Sequence, residues 1–166
     1  NGKVSGYVRD GVAMEAGTLT VESGKTGGDA AQFIADANSR IVGLSLGGAI
    51  QIAKADANAL GVSEAYLGAT NGRTRGGQAG ARLDIGGAVN VNARGDTDAI
   101  ALTRGGGVGT VSVSALTPVA VAGGATRAYA GDGLDITSGS LALNAHGDAR
   151  ADADISSFNL GLLASI

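Results

Sequence analysis

A recurrence constrains this chain more than any other feature: three stretches carry one glycine-punctuated, alternating pattern. Gly2–Ser23 reads GKVSGYVRDGVAMEAGTLTVES, Gly72–Ala93 reads GRTRGGQAGARLDIGGAVNVNA, and Gly124–Ala145 reads GATRAYAGDGLDITSGSLALNA. The first and third align without a gap at a displacement of 122 residues (129 − 7), with Tyr7 on Tyr129, Gly11 on Gly133, Gly17 on Gly139, Leu19 on Leu141 and Val21 on Leu143. The second precedes the third by 52 (141 − 89), Val89 falling on Leu141 and Val91 on Leu143, with a one-residue slip before Gly87. Copies at such intervals read as an array in which each unit packs on its neighbours.

A looser echo follows the copies: Ala35-Asp36-Ala37-Asn38, Ala55-Asp56-Ala57-Asn58 and Ala151-Asp152-Ala153-Asp154, with Gly95-Asp96-Thr97-Asp98 in the middle unit. The first two lie 20 residues apart (55 − 35). Taken as one coil, that interval gives about 8 coils along the chain.

Between the copies run short segments of period two: Leu19-Thr20-Val21, Leu44-Ser45-Leu46, Ile50-Gln51-Ile52, Leu83-Asp84-Ile85, Val89-Asn90-Val91, Ile100-Ala101-Leu102, Val111-Ser112-Val113, Val119-Ala120-Val121 and Leu141-Ala142-Leu143. Alternation of this kind is the mark of a strand with one packed face and one wet face. Strands so short need equivalent strands beside them to satisfy their backbone groups, about 4.8 Å away. The expected fold is therefore all-β, a right-handed parallel β-helix (β-solenoid). Ala30–Arg40 and Ala53–Leu60 offer a helical alternative, because alanine is the strongest helix former. The stretch Ala149–Ile155 decides against it: alanines alternate with Asp148, Arg150, Asp152 and Asp154, which a helix would scatter around every side. Alanine also suits a narrow interior, with glycines at the corners.

Composition agrees. With 30 Gly, 1 Pro, no Trp and 3% aromatic residues, the chain has few large anchors for a globular core, yet at 44% hydrophobic it is too apolar for disorder. The net charge of −3 and scattered basic residues argue against nucleic-acid binding. Without cysteine there is neither a disulfide framework nor a thiolate metal site. No apolar run has the length of a membrane helix, and Asn1-Gly2-Lys3 carries neither an initiator Met nor a signal peptide, so both ends read as cuts through a longer chain.

The residues that could carry chemistry are few. His146 is the single histidine, and it reads as a solvent-facing corner residue beside Gly147-Asp148. Asp132 with Asp135, and Asp152 with Asp154, are carboxylate pairs of the kind a glycosidase uses, but only Tyr7, Tyr66, Tyr129, Phe33 and Phe158 could surround them with rings. Ala130–Thr137 resembles one degraded copy of a calcium-binding nonapeptide, without the tandem copies that motif requires, and reads as an Asp-Gly turn. Outward Asp and Asn interspersed with Arg40, Lys54, Arg94 and Arg150 read as a solvated, mixed-charge face, with calcium as the alternative. Thr18 and Thr20 are too isolated for the ranks of threonine an ice-binding face needs. No catalytic, cofactor or metal residue is assigned.

The strand motif Gly139-Ser140-Leu141-Ala142-Leu143-Asn144-Ala145, the Ala-Asp-Ala-Asp/Asn runs and Asn159-Leu160-Gly161-Leu162-Leu163-Ala164 together resemble the leukotoxin-type filamentous adhesins, relatives in style of filamentous haemagglutinin. That resemblance is compositional, covers nearly the whole chain and carries no catalytic motif. It implies a long non-enzymatic shaft, residues 1–166 being one segment of it, exported by a Gram-negative bacterium and displayed extracellularly at the cell surface for adhesion. Its partners would be adjacent repeats or copies of itself end to end, and a host or neighbouring-cell surface; neither nucleic acid nor membrane insertion is expected. The end sequence Leu163-Ala164-Ser165-Ile166 followed by Asn1-Gly2-Lys3 mimics Val121-Ala122-Gly123-Gly124-Ala125, which suggests such a join. A polysaccharide-active β-helix enzyme is the competing expectation.

Overall fold

A computed structural model describes residues 2–24, 29–69 and 80–161. Gly72–Ala79 of the second copy, Leu162–Ala164 of the adhesin-like segment and the 163–166/Asn1 join lie outside the described residues. No helix occurs among the described residues, and 86% of them are strand. The strands are β1 (Gly2–Val8), β2 (Ala13–Ala16), β3 (Leu19–Ser23), β4 (Ala31–Leu44), β5 (Gly48–Leu67), β6 (Arg82–Gly109), β7 (Val111–Ala130) and β8 (Asp135–Gly161). The alanine-rich stretches expected to alternate as strands do so within β4 and β5.

One sheet has the order β1-β5-β7; in the other, β6 takes β2, β3, β4 and β8 as partners. β1 lies parallel to β5, Gly2 opposite Gly61 through Val8 opposite Leu67. β2 and β3 lie parallel to β6, Ala13 opposite Arg82 and Leu19 opposite Val89. Pro118 sits in β7, at the end of its sheet's order, where a missing N–H is tolerated.

The strands are much longer than the three-residue segments of the sequence pattern. β6 alone takes in Leu83–Ile85, Val89–Val91 and Ile100–Leu102. The reason lies in its glycines, read from the sequence as corners. Gly87 and Gly95 stay extended inside the strand, because a Cβ on Gly87 would come within 2.7 Å of the Gly17 carbonyl oxygen and one on Gly95 within 3.0 Å of Ser63 and Thr126. Among the described residues, left-handed glycines make corners at Gly11 (φ 75°), Gly68 (φ 83°) and Gly133 (φ 71°).

Two compact units are built from these strands. The first comprises Asn1–Phe33, Leu60–Thr97 and Gly123–Ala149. Its core is Val21, Ala65, Leu67, Ala81, Leu83, Ile85, Val89, Val91 and Ala93, with Met14, Leu19 and Ile136 packed against it. Val21, Ala81, Leu83, Ile85, Val89, Val91 and Ala93 are apolar positions of the recurring copies, while Ala65 and Leu67 come from β5 between them. Leu19 pairs with Val89, 70 residues on. Asn144 bonds Asn92 across 52 residues. In the other sheet Tyr7 pairs with Tyr66, 59 on (66 − 7), and Glu64 meets Arg127 across 63. Steps of 70 and 52, like those of 59 and 63, make up the 122 by which the first and third copies are displaced.

The second unit comprises Ile34–Ala59, Asp98–Ala122 and Arg150–Ile166. Its buried cluster is alanine alone: Ala55, Ala57, Ala59, Ala99 and Ala101, with Ala35, Ala37, Ala120 and Ala122 packed against them. Ala35 and Ala37 come from the sheet of β6 while Ala55 and Ala57 come from the sheet of β5. The 20-residue echo therefore spans two walls of one core, where the sequence reading expected two adjacent coils. Ala99 and Ala101 of β6 also belong to this cluster. Near the turn at 45–47, Ser45 N–H donates to the Val108 carbonyl at 3.0 Å and Thr110 N–H to that of Gly47 at 3.0 Å.

Candidate functional site

The most organised surface feature of the first unit grows out of parallel register. Pairing of β1 with β5 sets Tyr7 against Tyr66, and a constant step of 63 sets Tyr66 against Tyr129 (129 − 66). Strands about 4.8 Å apart bring like side chains to stacking distance. Ring centroids are 5.2 Å and 5.0 Å apart, with interplanar angles of 11° and 3°. Tyr66, in the middle, is 6% exposed, whereas Tyr7 is 43% exposed. The Arg9 guanidinium lies 5.5 Å from the Tyr7 ring centre, and its Nη2 donates to the Tyr7 hydroxyl at 3.2 Å. That hydrogen bond, followed by the attraction of Tyr7, raises the Arg9 pKa.

The neighbouring row is ionic. Glu64 stands opposite Ser5 in register and is 1% exposed. Lys3 reaches it from β1, Nζ to Oε2 at 2.7 Å, and Arg127 reaches it from β7, Nη1 to Oε1 at 3.1 Å. Both carboxylate oxygens thus face a cation, and burying such a carboxylate is tolerable because it is paired on two sides. The Lys3 pKa is raised, chiefly by its hydrogen bond to Glu64 and against a smaller desolvation effect.

This surface was only half legible. The recurrence pairs Tyr7 with Tyr129, but Tyr66 and Glu64 fall outside the second copy, because the two sheets advance by different steps. The available signal was position: Tyr66 lies close to midway between the other two tyrosines. Chemically, the arrangement ties three strands together. Only Tyr66 has both ring faces covered; Tyr7 ends the stack with its outer face near the Arg9 guanidinium.

The residues singled out from the sequence stand apart from this face or are paired. His146 belongs to β8 and is not a corner residue; its Nε2 lies 3.3 Å from Asp148 Oδ2, both side chains being exposed. With Asp29, Arg94 and Asp96 they line an open depression of about 440 Å³. Asp132 lies in the turn before β8, where Gly133 makes the corner, and Asp135 opens the strand 3.9 Å from Arg82 Nε. Asp152 takes Arg150 Nη2 at 3.2 Å, and Lys54 takes Asp56 at 2.8 Å on β5. These neutralised i, i+2 pairs give the strands that carry them an outward face of mixed charge. Among the described residues no group of three or more His, Cys, Asp or Glu is placed to hold a metal ion. No family model, no curated protein and no solved structure matches the chain.

Proposed function

We propose that this chain is a stretch of the shaft of a secreted bacterial surface adhesin, a right-handed parallel β-solenoid that works by reach and stiffness and performs no catalysis. The observation that supports it is the identity of two sets of numbers. The intervals at which the sequence repeats, 122 and 52, are the intervals at which residues stack or their steps combined. A stack in which like lies on like lengthens by adding copies, which is the property a shaft needs. On this reading a coil is an out-and-back pass of about 60 residues, so the chain holds between two and three coils rather than eight.

Adhesion and extracellular display follow from the resemblance of the repeat style to filamentous adhesins. The mixed-charge faces suit a fibre that must remain dispersed. A polysaccharide-active enzyme would need exposed rings and a carboxylate pair facing a common groove. Here the tyrosines stack on one another, and Asp135 and Asp152 each face an arginine.

Duplicating the 122-residue repeat within the chain tests the reading. A shaft gains two coils, so small-angle scattering should show the particle lengthening by about 10 Å at constant cross-section, with the β circular-dichroism signature kept. Incubation of either chain with acidic and neutral polysaccharides should release no reducing ends. A duplicated chain that misfolds, or cleavage of any glycan, would sink the proposal.

A further inference from the structure

We propose that the open edge of the first unit formed by the Asp135–Ala149 part of β8 is a docking face for β3 of a second copy of this chain, in a head-to-tail stack that sets the partner's Glu22 beside Asn144. The inference rests on the shaft reading and names the residues at which shafts join.

In the centre of this sheet, Val89 and Val91 are fully buried with β3 on one side and β8 on the other. Leu141 and Leu143 carry the same row one strand further, yet they are 46% and 42% exposed. Burying the apolar surface they still expose would favour the joined state. What is missing beside β8 is specified by the rows themselves. It must be apolar at two alternate positions, glycine two residues before the first of them, and polar one residue after the second.

β3 with its preceding turn has that sequence in that spacing: Gly17, Leu19, Val21 and Glu22. It already packs this way against β6. The glycine row is tight: a Cβ on Gly87 would come within 2.7 Å of the Gly17 carbonyl oxygen and one on Gly139 within 3.3 Å of that of Gly87. The polar row has a direction. Asn92 Nδ2 donates to Glu22 at 3.5 Å, and Asn144 Nδ2 donates to Asn92 Oδ1 at 3.1 Å. Asn144 spends one of its two amide N–H groups on Asn92, and the other is the donor it can offer to the partner's Glu22, a carboxylate that only accepts. Such a contact joins two different surfaces, and because it sets each copy one strand spacing further along the stack it propagates as a fibre.

The chain has no cysteine, which makes introduced thiols unambiguous. Glu22→Cys with Asn92→Cys in one chain places thiols on Cα partners of adjacent strands, about 4.8 Å apart and inside the range a disulfide spans. It should close within the chain, and failure to do so overturns the register and the shaft reading with it. Glu22→Cys with Asn144→Cys places the thiols two strands apart, about 10 Å, too far to close within a chain. At high protein concentration it should instead give a ladder of disulfide-linked multimers on a non-reducing gel, and the two single variants mixed should give a dimer containing one of each. Leu141→Lys or Leu143→Lys, with the fold verified by circular dichroism, should cut the cross-linked yield at least about tenfold, a charge at a strand edge being a strong block to pairing; Ile52→Lys, on the outer face of a central strand, should leave it unchanged. A chain whose first pair closes while the second gives no multimers, or one in which Glu22→Cys alone cross-links as well as the mixture, overturns the docking proposal and leaves the shaft standing.

Discussion

Tyr66 stacks on Tyr129 with ring centroids 5.0 Å apart and planes 3° from parallel, although 63 residues separate them (129 − 66). Tyr7 covers its other face. A ring enclosed on both sides contributes most of its burial to stability, whereas the ring at the end contributes less. Tyr66→Ala should therefore cost about 3 kcal/mol or more by denaturant titration and Tyr7→Ala about 1 kcal/mol. The near-ultraviolet dichroism of the tyrosines should fall further for Tyr66→Ala than for Tyr7→Ala. Equal costs would mean that the rings do not stack in this order.

Glu64 is buried between Lys3 and Arg127, so removing its cations should be costlier than removing the carboxylate. Replacing both Lys3 and Arg127 by Met leaves a buried charge unpaired and should cost about 2–3 kcal/mol, reduced from the fully buried case because both cations are half exposed. Glu64→Gln in that background should recover about half of it. The cycle of denaturation midpoints measures the coupling directly.

Alkaline pH should reach the same row through Lys3. Its pKa is raised above 10.5 in the folded chain, so its contribution is complete below that value and disappears as pH rises through the folded pKa. Thermal stability of the native chain should therefore fall on the alkaline side of pH 10.5 more steeply than that of Lys3→Met. Identical alkaline profiles would mean that the Lys3–Glu64 contact is not formed in solution.

Phe33 occupies a cradle made by glycines: a Cβ on Gly61 would collide with its ring, and one on Gly2 would lie 2.9 Å from it. Gly61→Ala should destabilise by about 1–3 kcal/mol through overpacking, and Phe33→Leu in the same chain should restore part of the loss. If the double variant is no better than the single one, the cost of Gly61→Ala lies in the backbone.

The pairing register was legible because parallel stacking sets like on like. Leu19, Val89 and Leu141 occupy one row in the sequence alignment and, through β3, β6 and β8, one row in the sheet. Strand identity was legible for the alanine-rich stretches because their alternation with Asp and Arg cannot be sorted onto a helix. Coil size was not. Ala35 and Ala55 repeat a motif because a narrow core demands the same small residue from both of its walls, so their 20-residue interval reflects the path from one wall to the other. Strand length was obscured by Gly87 and Gly95, which serve close approach between strands instead of turning the chain. Glu64 gave no sign at all, since an isolated acid in a sequence does not announce that two cations from distant strands will enclose it.

The most direct test of the central claim is cryo-electron microscopy of the purified chain, looking for the strand spacing along the long axis of the particles. Stacked parallel coils predict elongated particles with a layer line near 4.8 Å along that axis; compact particles with an open cleft and no such layer line would contradict the shaft.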